Sequence, residues 1–132
     1  MKDMILTNHL AVHDQLTGVY NRNKLKELIN SETGEFIKFS RFDISFILID
    51  IDLFKKVNDK YGHASGDKVL VCLADILKNT VRETDYVIRW GGEEFLIIMP
   101  DCSVDDAVRI AEKLREKTEK SIEKNEKIIE FT

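Results

Sequence analysis

The stretch Arg89-Trp90-Gly91-Gly92-Glu93-Glu94-Phe95 sets two carboxylates directly after a pair of glycines, and the apolar run Leu96-Ile97-Ile98-Met99 follows it. Glycine pairs between strand-like runs favour two-residue hairpin loops, because the preferred turns need positive φ and glycine adopts it without steric cost. The pattern predicts a hairpin over residues 86–99 with Gly91 and Gly92 at its tip. A tip without side chains lets a bulky anion such as a nucleotide lie against the backbone. Glu93 and Glu94 at the rim then offer oxygen ligands to a cation beside that anion. A purely structural use of Glu93 explains little, since a charged residue after such a turn gains nothing by packing.

A second acidic element sharpens this reading. Ile44-Ser45-Phe46-Ile47-Leu48-Ile49 is nearly continuous in apolar residues, the signature of a strand buried on both faces, and it ends in Asp50-Ile51-Asp52. Alternation along a strand projects Asp50 and Asp52 to the same side, roughly 6–7 Å apart. At an effective dielectric near 20 two such charges repel by about 2–3 kcal/mol. A divalent cation relieves that cost; alternatively, one Asp caps the next helix and the other is solvated.

The elements that must carry these groups follow from periodicity. Asn21 can cap a helix bearing Leu25, Leu28 and Ile29 on one side. After the Ile44 strand the spacing predicts a short helix over residues 54–61. A longer one over residues 65–80 presents Val69, Leu73, Ile76 and Leu77. The hairpin comes next, and Pro100 stands where its second strand should end. A last helix over residues 104–123 buries Ala107, Ile110, Ala111 and Leu114, with Ser103 as its cap and Asp105 and Asp106 in its first turn. The far end of that helix, residues 115–127, is almost entirely charged and reads as a solvated face. Residues 127–132, Lys127-Ile128-Ile129-Glu130-Phe131-Thr132, look like a strand beginning. The order implies an α/β fold, a central mixed β-sheet flanked by helices.

The bulk numbers exclude several classes. At 132 residues, 43% hydrophobic and 33% charged, the chain is of single-domain size with a globular composition. A net charge of −4 argues against a general affinity for nucleic acid, which needs a basic face. No apolar run reaches membrane-spanning length and no signal-peptide pattern opens the chain. Cys72 and Cys102 are isolated and match no metal spacing; Cys72 reads as a buried free thiol, and a reducing cytoplasmic setting suits both.

Three motifs in order, Asp50-Ile51-Asp52-Leu53-Phe54-Lys55-Lys56-Val57-Asn58-Asp59, Gly62-His63-Ala64-Ser65-Gly66-Asp67 and Arg89-Trp90-Gly91-Gly92-Glu93-Glu94-Phe95, strongly resemble the GGDEF family of bacterial diguanylate cyclases. Asp14-Gln15-Leu16-Thr17-Gly18-Val19-Tyr20-Asn21-Arg22 resembles the motif that opens that domain. The resemblance implies a fold akin to the palm of nucleotide polymerases and cyclases. It also implies condensation of two GTP into cyclic di-GMP with release of two pyrophosphates, by two domains facing each other as a homodimer.

By the same resemblance Asp50, the main-chain carbonyl of Ile51, and Glu93 are the ligands of Mg²⁺ or Mn²⁺, with Asp52 behind them. Glu94 assists deprotonation of the 3′-hydroxyl. The amides of Leu53 and Phe54, at a helix start, suit phosphate, and Lys55 adds charge. Leu53 departs from the aromatic residue common in the family. Asn58 and Asp67 match the guanine-binding positions, while Gly91 and Gly92 lie against the nucleotide. Taken alone, Asn58 and Asp67 would be cap or turn residues. His63 is read as a structural hydrogen-bonding residue, and Arg89 as a structural or interface ion pair. Arg82-Glu83-Thr84-Asp85 resembles the family's product-inhibition site, in which Arg82 and Asp85 take cyclic di-GMP; otherwise it is a helix-end salt bridge.

The resemblance further implies that residues 1–12 end a signalling stalk helix; a frayed tail is the alternative. Residues 13–132 then form the domain, without the later strand and the Lys- and Arg-bearing helix that grip the triphosphate, so that this piece alone would be weak or inactive. The expected setting is cytoplasmic, within a parent protein that can carry sensor or inner-membrane segments. A catalytically inactive module that binds cyclic di-GMP or GTP for regulation is the alternative, and the intact Gly-Gly-Glu-Glu-Phe run disfavours it.

Overall fold

The computed structural model describes residues 11–29, 43–51, 59 and 62–124. Their elements are α1 (Asn23–Leu28), β1 (Ile44–Asp50), α2 (His63–Thr80), β2 (Tyr86–Arg89), β3 (Glu94–Pro100) and α3 (Val104–Lys124). Of the expected stalk end at residues 1–12 only residues 11 and 12 are described, and both are helical; the short helix around residues 54–61 except for Asp59, and the strand start at 127–132, lie outside the described residues. So do Asp52, Leu53, Phe54, Lys55 and Asn58. Asp59 is helical.

The sheet has the order β1-β3-β2, so the central strand is the one that follows the glycine turn. Both ladders are antiparallel. Parallel pairing enters as the isolated bridge from Tyr20 to Ile88, which lays the N-terminal arm along the free side of β2. The Tyr20 amide donates to the Val87 carbonyl at 3.0 Å, and the Arg89 amide donates to the Tyr20 carbonyl at 2.8 Å.

Alternation along β3 divides its side chains between two cores. Phe95, Ile97 and Met99 face α2 and α3, where they meet Leu70, Leu73, Ala74, Leu77, Ala107 and Leu114. Ile98, with Ile88 of β2, faces α1 and packs on Leu28. Phe95, Ile97, Ile98 and Met99 are all fully buried, and each contributes about 1.5–3 kcal/mol of transfer free energy. The helical stripes follow the predicted spacing, with Ile76, Ile110 and Ala111 half-buried rather than buried, and on α2 the stripe is wider, taking in Leu70 and Ala74.

Helix ends follow local chemistry. The Ser103 hydroxyl accepts the Asp106 amide at 3.1 Å, and Asp105 and Asp106 occupy the first turn of α3. Helix α2 starts two residues earlier than expected, after Gly62, whose φ of 88° favours glycine. Helix α1 begins after Arg22, which makes no side-chain cap. Asn21 instead accepts the Asn23 amide at 2.9 Å, one position further out than a cap.

Two expectations need correction. Strand β1 is not buried on both faces: Phe46 is 51% and Leu48 63% exposed. Helices α2 and α3 cover the face bearing Ile47 and Ile49, whereas α1 covers the opposite face over β2 and β3. A continuous apolar run therefore did not mean two covered faces. The hairpin also differs. Its strands end at Arg89 and resume at Glu94, so the connection has four residues, and neither Gly91 nor Gly92 has positive φ. The Trp90 and Gly91 amides both donate to the Glu94 carbonyl, at 2.8 and 3.2 Å, which closes a wider turn than a primed two-residue loop.

Candidate functional site

The register of the β1–β3 ladder brings the acidic end of β1 to the glycine turn. Asp50 stands directly opposite Glu94. One residue beyond the ladder, the Ile51 amide donates to the Glu93 carbonyl at 3.2 Å. The stretch Asp50–Ile51 and the stretch Glu93–Glu94 thus form one edge, joined main chain to main chain. Asp50 is exposed, and Ile51, Glu93 and Glu94 are half-buried.

Like charges directly opposite each other on a ladder destabilise it, so the fold carries a cost at this edge. Every donor offered here is oxygen, the kind that hard divalent cations take, and Mg²⁺ commonly uses one or two carboxylates with the remainder from substrate and water. Among the described residues no group of three or more His, Cys, Asp or Glu side chains could hold a metal ion. Among the described residues an ion is thus offered paired carboxylates with main-chain oxygen, a set that suits Mg²⁺ or Mn²⁺.

The glycines themselves are informative. A Cβ at Gly92 would meet nothing within 4 Å, and one at Gly91 would make ordinary contact with Glu94 at 3.6 Å. With no positive φ and no internal crowding, the described chain gives no reason of its own for glycine at either position. The bare turn leaves open space beside the acids.

Behind the turn lies a network that the sequence shows but does not explain. Arg89 sends Nη2 to the Gly92 carbonyl at 2.9 Å, and Nη1 to both Asp14 carboxylate oxygens at 3.2 and 3.3 Å. Asp14 Oδ2 also accepts the Thr17 amide at 2.9 Å and the buried Thr17 hydroxyl at 2.7 Å. Burial alone would raise the Asp14 pKa, but the Thr17 hydroxyl, the Thr17 amide and the Arg89 charge outweigh it and hold the carboxyl below its ordinary range. Nearby, the Arg22 guanidinium lies 4.2 Å from the Trp90 ring centre. The reading of Arg89 as an ion-pair residue thus gains a partner, Asp14. The Asp-x-x-Thr spacing was the local sign that a carboxylate would be held by neighbouring donors.

The remaining site residues divide. Asp67 is exposed on α2, in its second turn rather than its first, because the helix starts early. Leu53, Phe54, Lys55 and Asn58, expected at phosphate and guanine, are outside the described residues. Arg82 and Asp85 do meet. Arg82 Nη2 donates to Asp85 Oδ1 at 2.8 Å and to the Pro100 carbonyl at 2.8 Å, while the Arg82 amide donates to Asp85 Oδ2 at 2.8 Å. The Asp85 side chain is fully covered and that of Arg82 is 45% exposed. Asp85 hydrogen bonding raises the Arg82 pKa against a smaller desolvation effect. Asp85 is thus committed to holding Arg82 and the loop, and Arg82 is the member that faces outward.

A cavity of about 420 Å³ adjoins the Asp50–Ile51 end of the acidic edge, against Ile47 to Ile51 of β1 and its end, between Val69, Cys72 and Leu73 of α2 and Leu114 and Thr118 of α3. It touches Asp50 but none of the turn residues, and its walls are mainly aliphatic. No helix among the described residues is long and apolar enough to cross a membrane.

Residues 11–132 match the family model described as diguanylate cyclase, GGDEF domain. The chain is similar to the diguanylate cyclase DgcM of Escherichia coli (strain K12), at 41% identity over 107 residues, covering 81% of this chain and 26% of that protein. It is similar to the response regulator PleD of Caulobacter vibrioides (strain NA1000 / CB15N), at 47% identity over 106 residues, covering 80% and 23%. The chain thus spans about a quarter of the length of these curated relatives. Among solved structures it is similar to the diguanylate cyclase SiaD of Pseudomonas aeruginosa in complex with its activator SiaC. That match has a TM-score of 0.69 at 38% identity, covering 88% of this chain and 45% of the other. It is also similar to the GGDEF domain of DgcB from Caulobacter crescentus in complex with c-di-GMP, with a TM-score of 0.69 at 30% identity, covering 81% and 60%.

Proposed function

Because the chain belongs to the GGDEF family of diguanylate cyclase domains, we propose that it condenses two GTP into cyclic di-GMP and two pyrophosphates, acting as a homodimer. The observation that carries this reading is the ladder register, with Asp50 opposite Glu94 and Ile51 hydrogen-bonded to Glu93.

Asp50, the Ile51 carbonyl and Glu93 would hold a Mg²⁺ or Mn²⁺ ion beside the triphosphate. When bound, that ion acidifies the attacking hydroxyl and offsets phosphate charge. The chain's own groups do the rest. Gly91 and Gly92 let the nucleotide approach the turn without meeting a side chain. The Leu53 and Phe54 amides and Lys55 bind phosphate oxygens, while Asn58 and Asp67 read the guanine edge by donating and accepting. Glu94 takes the proton from the 3′-hydroxyl.

In each of the two steps the 3′-oxygen of one nucleotide forms a bond to the α-phosphorus of the other. The bond from that phosphorus to the bridging oxygen breaks, and pyrophosphate leaves. One domain holds one GTP, which cannot attack itself productively, so two domains must face each other. Orientation of the reacting pair is the main contribution of such an arrangement.

The test is product formation by the full-length polypeptide carrying these residues, with GTP and Mg²⁺. Cyclic di-GMP and pyrophosphate should appear in a 1:2 ratio, with specific activity rising with protein concentration. Glu93→Gln should abolish product with the circular dichroism spectrum unchanged. Undiminished product from Glu93→Gln would refute the metal assignment, and no product from the wild-type protein would refute the activity.

A further inference from the structure

Main-chain bonds to Glu94 and from Ile51 close the glycine turn, but few side chains hold it. It carries no side chain at Gly91 or Gly92, and open space surrounds the Gly92 Cβ direction. Among the described residues, Arg89 is the one side chain that hydrogen-bonds the main chain of residues 90–93, through the Gly92 carbonyl at 2.9 Å. From these facts we infer that Arg89 is a positioning residue, which fixes the height of the glycine turn over the β1 end by bridging Gly92 to Asp14. This rests on the proposed cyclase reading and deepens it, since the turn carries the carboxylates assigned to the reaction.

The bridge is built to be stiff at both ends. The Arg89 main chain is fixed twice, by its pairing with Phe95 and by its amide bond to Tyr20. Asp14 is fixed more fully. Its amide donates to Val19 at 2.7 Å, its carbonyl accepts Gly18 at 2.8 Å, and its carboxylate takes two bonds from Thr17. Gly18 makes this loop possible, with a φ of 78° that side-chain-bearing residues rarely adopt. The guanidinium then spans two acceptors, using separate nitrogens for each. A lysine ammonium is a single point charge and cannot reproduce that fork. The consequence is a tie between residue 14 and residue 92 through residue 89, placing the N-terminal arm in mechanical contact with the turn.

The test uses the full-length polypeptide with Arg89→Lys, Asp14→Asn and the double variant. Asp14→Asn keeps an oxygen for the Thr17 donors, so it removes the charge while sparing the loop. Arg89→Lys should lower kcat by roughly ten- to a hundredfold, the scale on which small misplacements act, with KM for GTP changed less than about twofold. Asp14→Asn should produce the same kcat-selective loss to a smaller extent. The double variant should be no slower than Arg89→Lys alone, because both act through one bridge. Amide exchange supplies a readout independent of turnover. The Trp90, Gly91 and Ile51 amides, which donate to Glu94 and Glu93, should exchange faster in both single variants while α2 keeps its protection. Wild-type kcat in Arg89→Lys, additive losses in the double variant, or exchange rising equally in α2 would each overturn the assignment. If the wild-type protein makes no cyclic di-GMP, the cyclase reading fails, and exchange at the turn alone decides the fate of the bridge.

Discussion

Asp50 and Glu94 face each other across the β1–β3 ladder, two carboxylates where packing alone would favour a neutral or oppositely charged pair. Such opposition costs about 0.2–1 kcal/mol. Asp50→Asn should therefore raise metal-free stability by up to about that amount in urea titration, while cyclic di-GMP synthesis falls to background. Reduced stability, or synthesis at the wild-type rate, would count against a functional reason for the pair.

The Asp14 carboxyl gives a pH dependence with a definite sign. Its folded pKa lies below its ordinary value, because Thr17 and Arg89 outweigh desolvation. The stability it contributes is fully present above the unfolded value of about 3.9, and is lost as pH falls through the folded value. Melting temperatures of wild type and Asp14→Asn should differ above about pH 5 and converge in stronger acid. A gap that widens as the pH drops would reverse the sign and reject the network.

Arg82 and Asp85 separate a structural role from a regulatory one. Asp85→Ala removes the acceptor of the Arg82 amide and guanidinium, and should cost about 1–3 kcal/mol in denaturant unfolding. Arg82→Ala should relieve inhibition by added cyclic di-GMP while leaving uninhibited synthesis in place. Inhibition unchanged in that variant would remove the second nucleotide site and leave the helix-end ion pair.

The two thiols should differ sharply in reactivity. Cys102 is 2% exposed, and burial pushes its thiol pKa up, so little thiolate forms. Cys72 is half-buried and lines the cavity between β1, α2 and α3. Iodoacetamide should label Cys72 in the folded protein and Cys102 only on unfolding, as read by peptide mass spectrometry. Equal labelling rates under native conditions would contradict this packing.

Much of this was legible in the chain. The stripes of α2 and α3 follow apolar spacing at positions such as Leu73, Leu77, Ala107 and Leu114, and Ser103 marks a helix start as side-chain chemistry requires. The acidic strand end and the acidic turn could each be read as cation ligands. What joins them is ladder register, which depends on pairing between distant segments and is not written locally. The Asp14–Arg89 pair spans 75 positions and so lay beyond any window of periodicity. Phe46 and Leu48 misled because apolar identity reports preference for burial, whereas exposure is set by which helix covers which face. The glycine turn misled in its backbone: a four-residue connection removes the need for positive φ at Gly91 and Gly92.

The claim that Asp50 and Glu93 share one divalent ion has a direct measurement. Electron paramagnetic resonance can count Mn²⁺ held by the protein with 3′-deoxy-GTP, which binds but lacks the attacking hydroxyl. Wild type should hold protein-bound Mn²⁺ that Asp50→Asn and Glu93→Gln each lose to a similar degree. Full Mn²⁺ occupancy and affinity retained in either variant would contradict a shared ion.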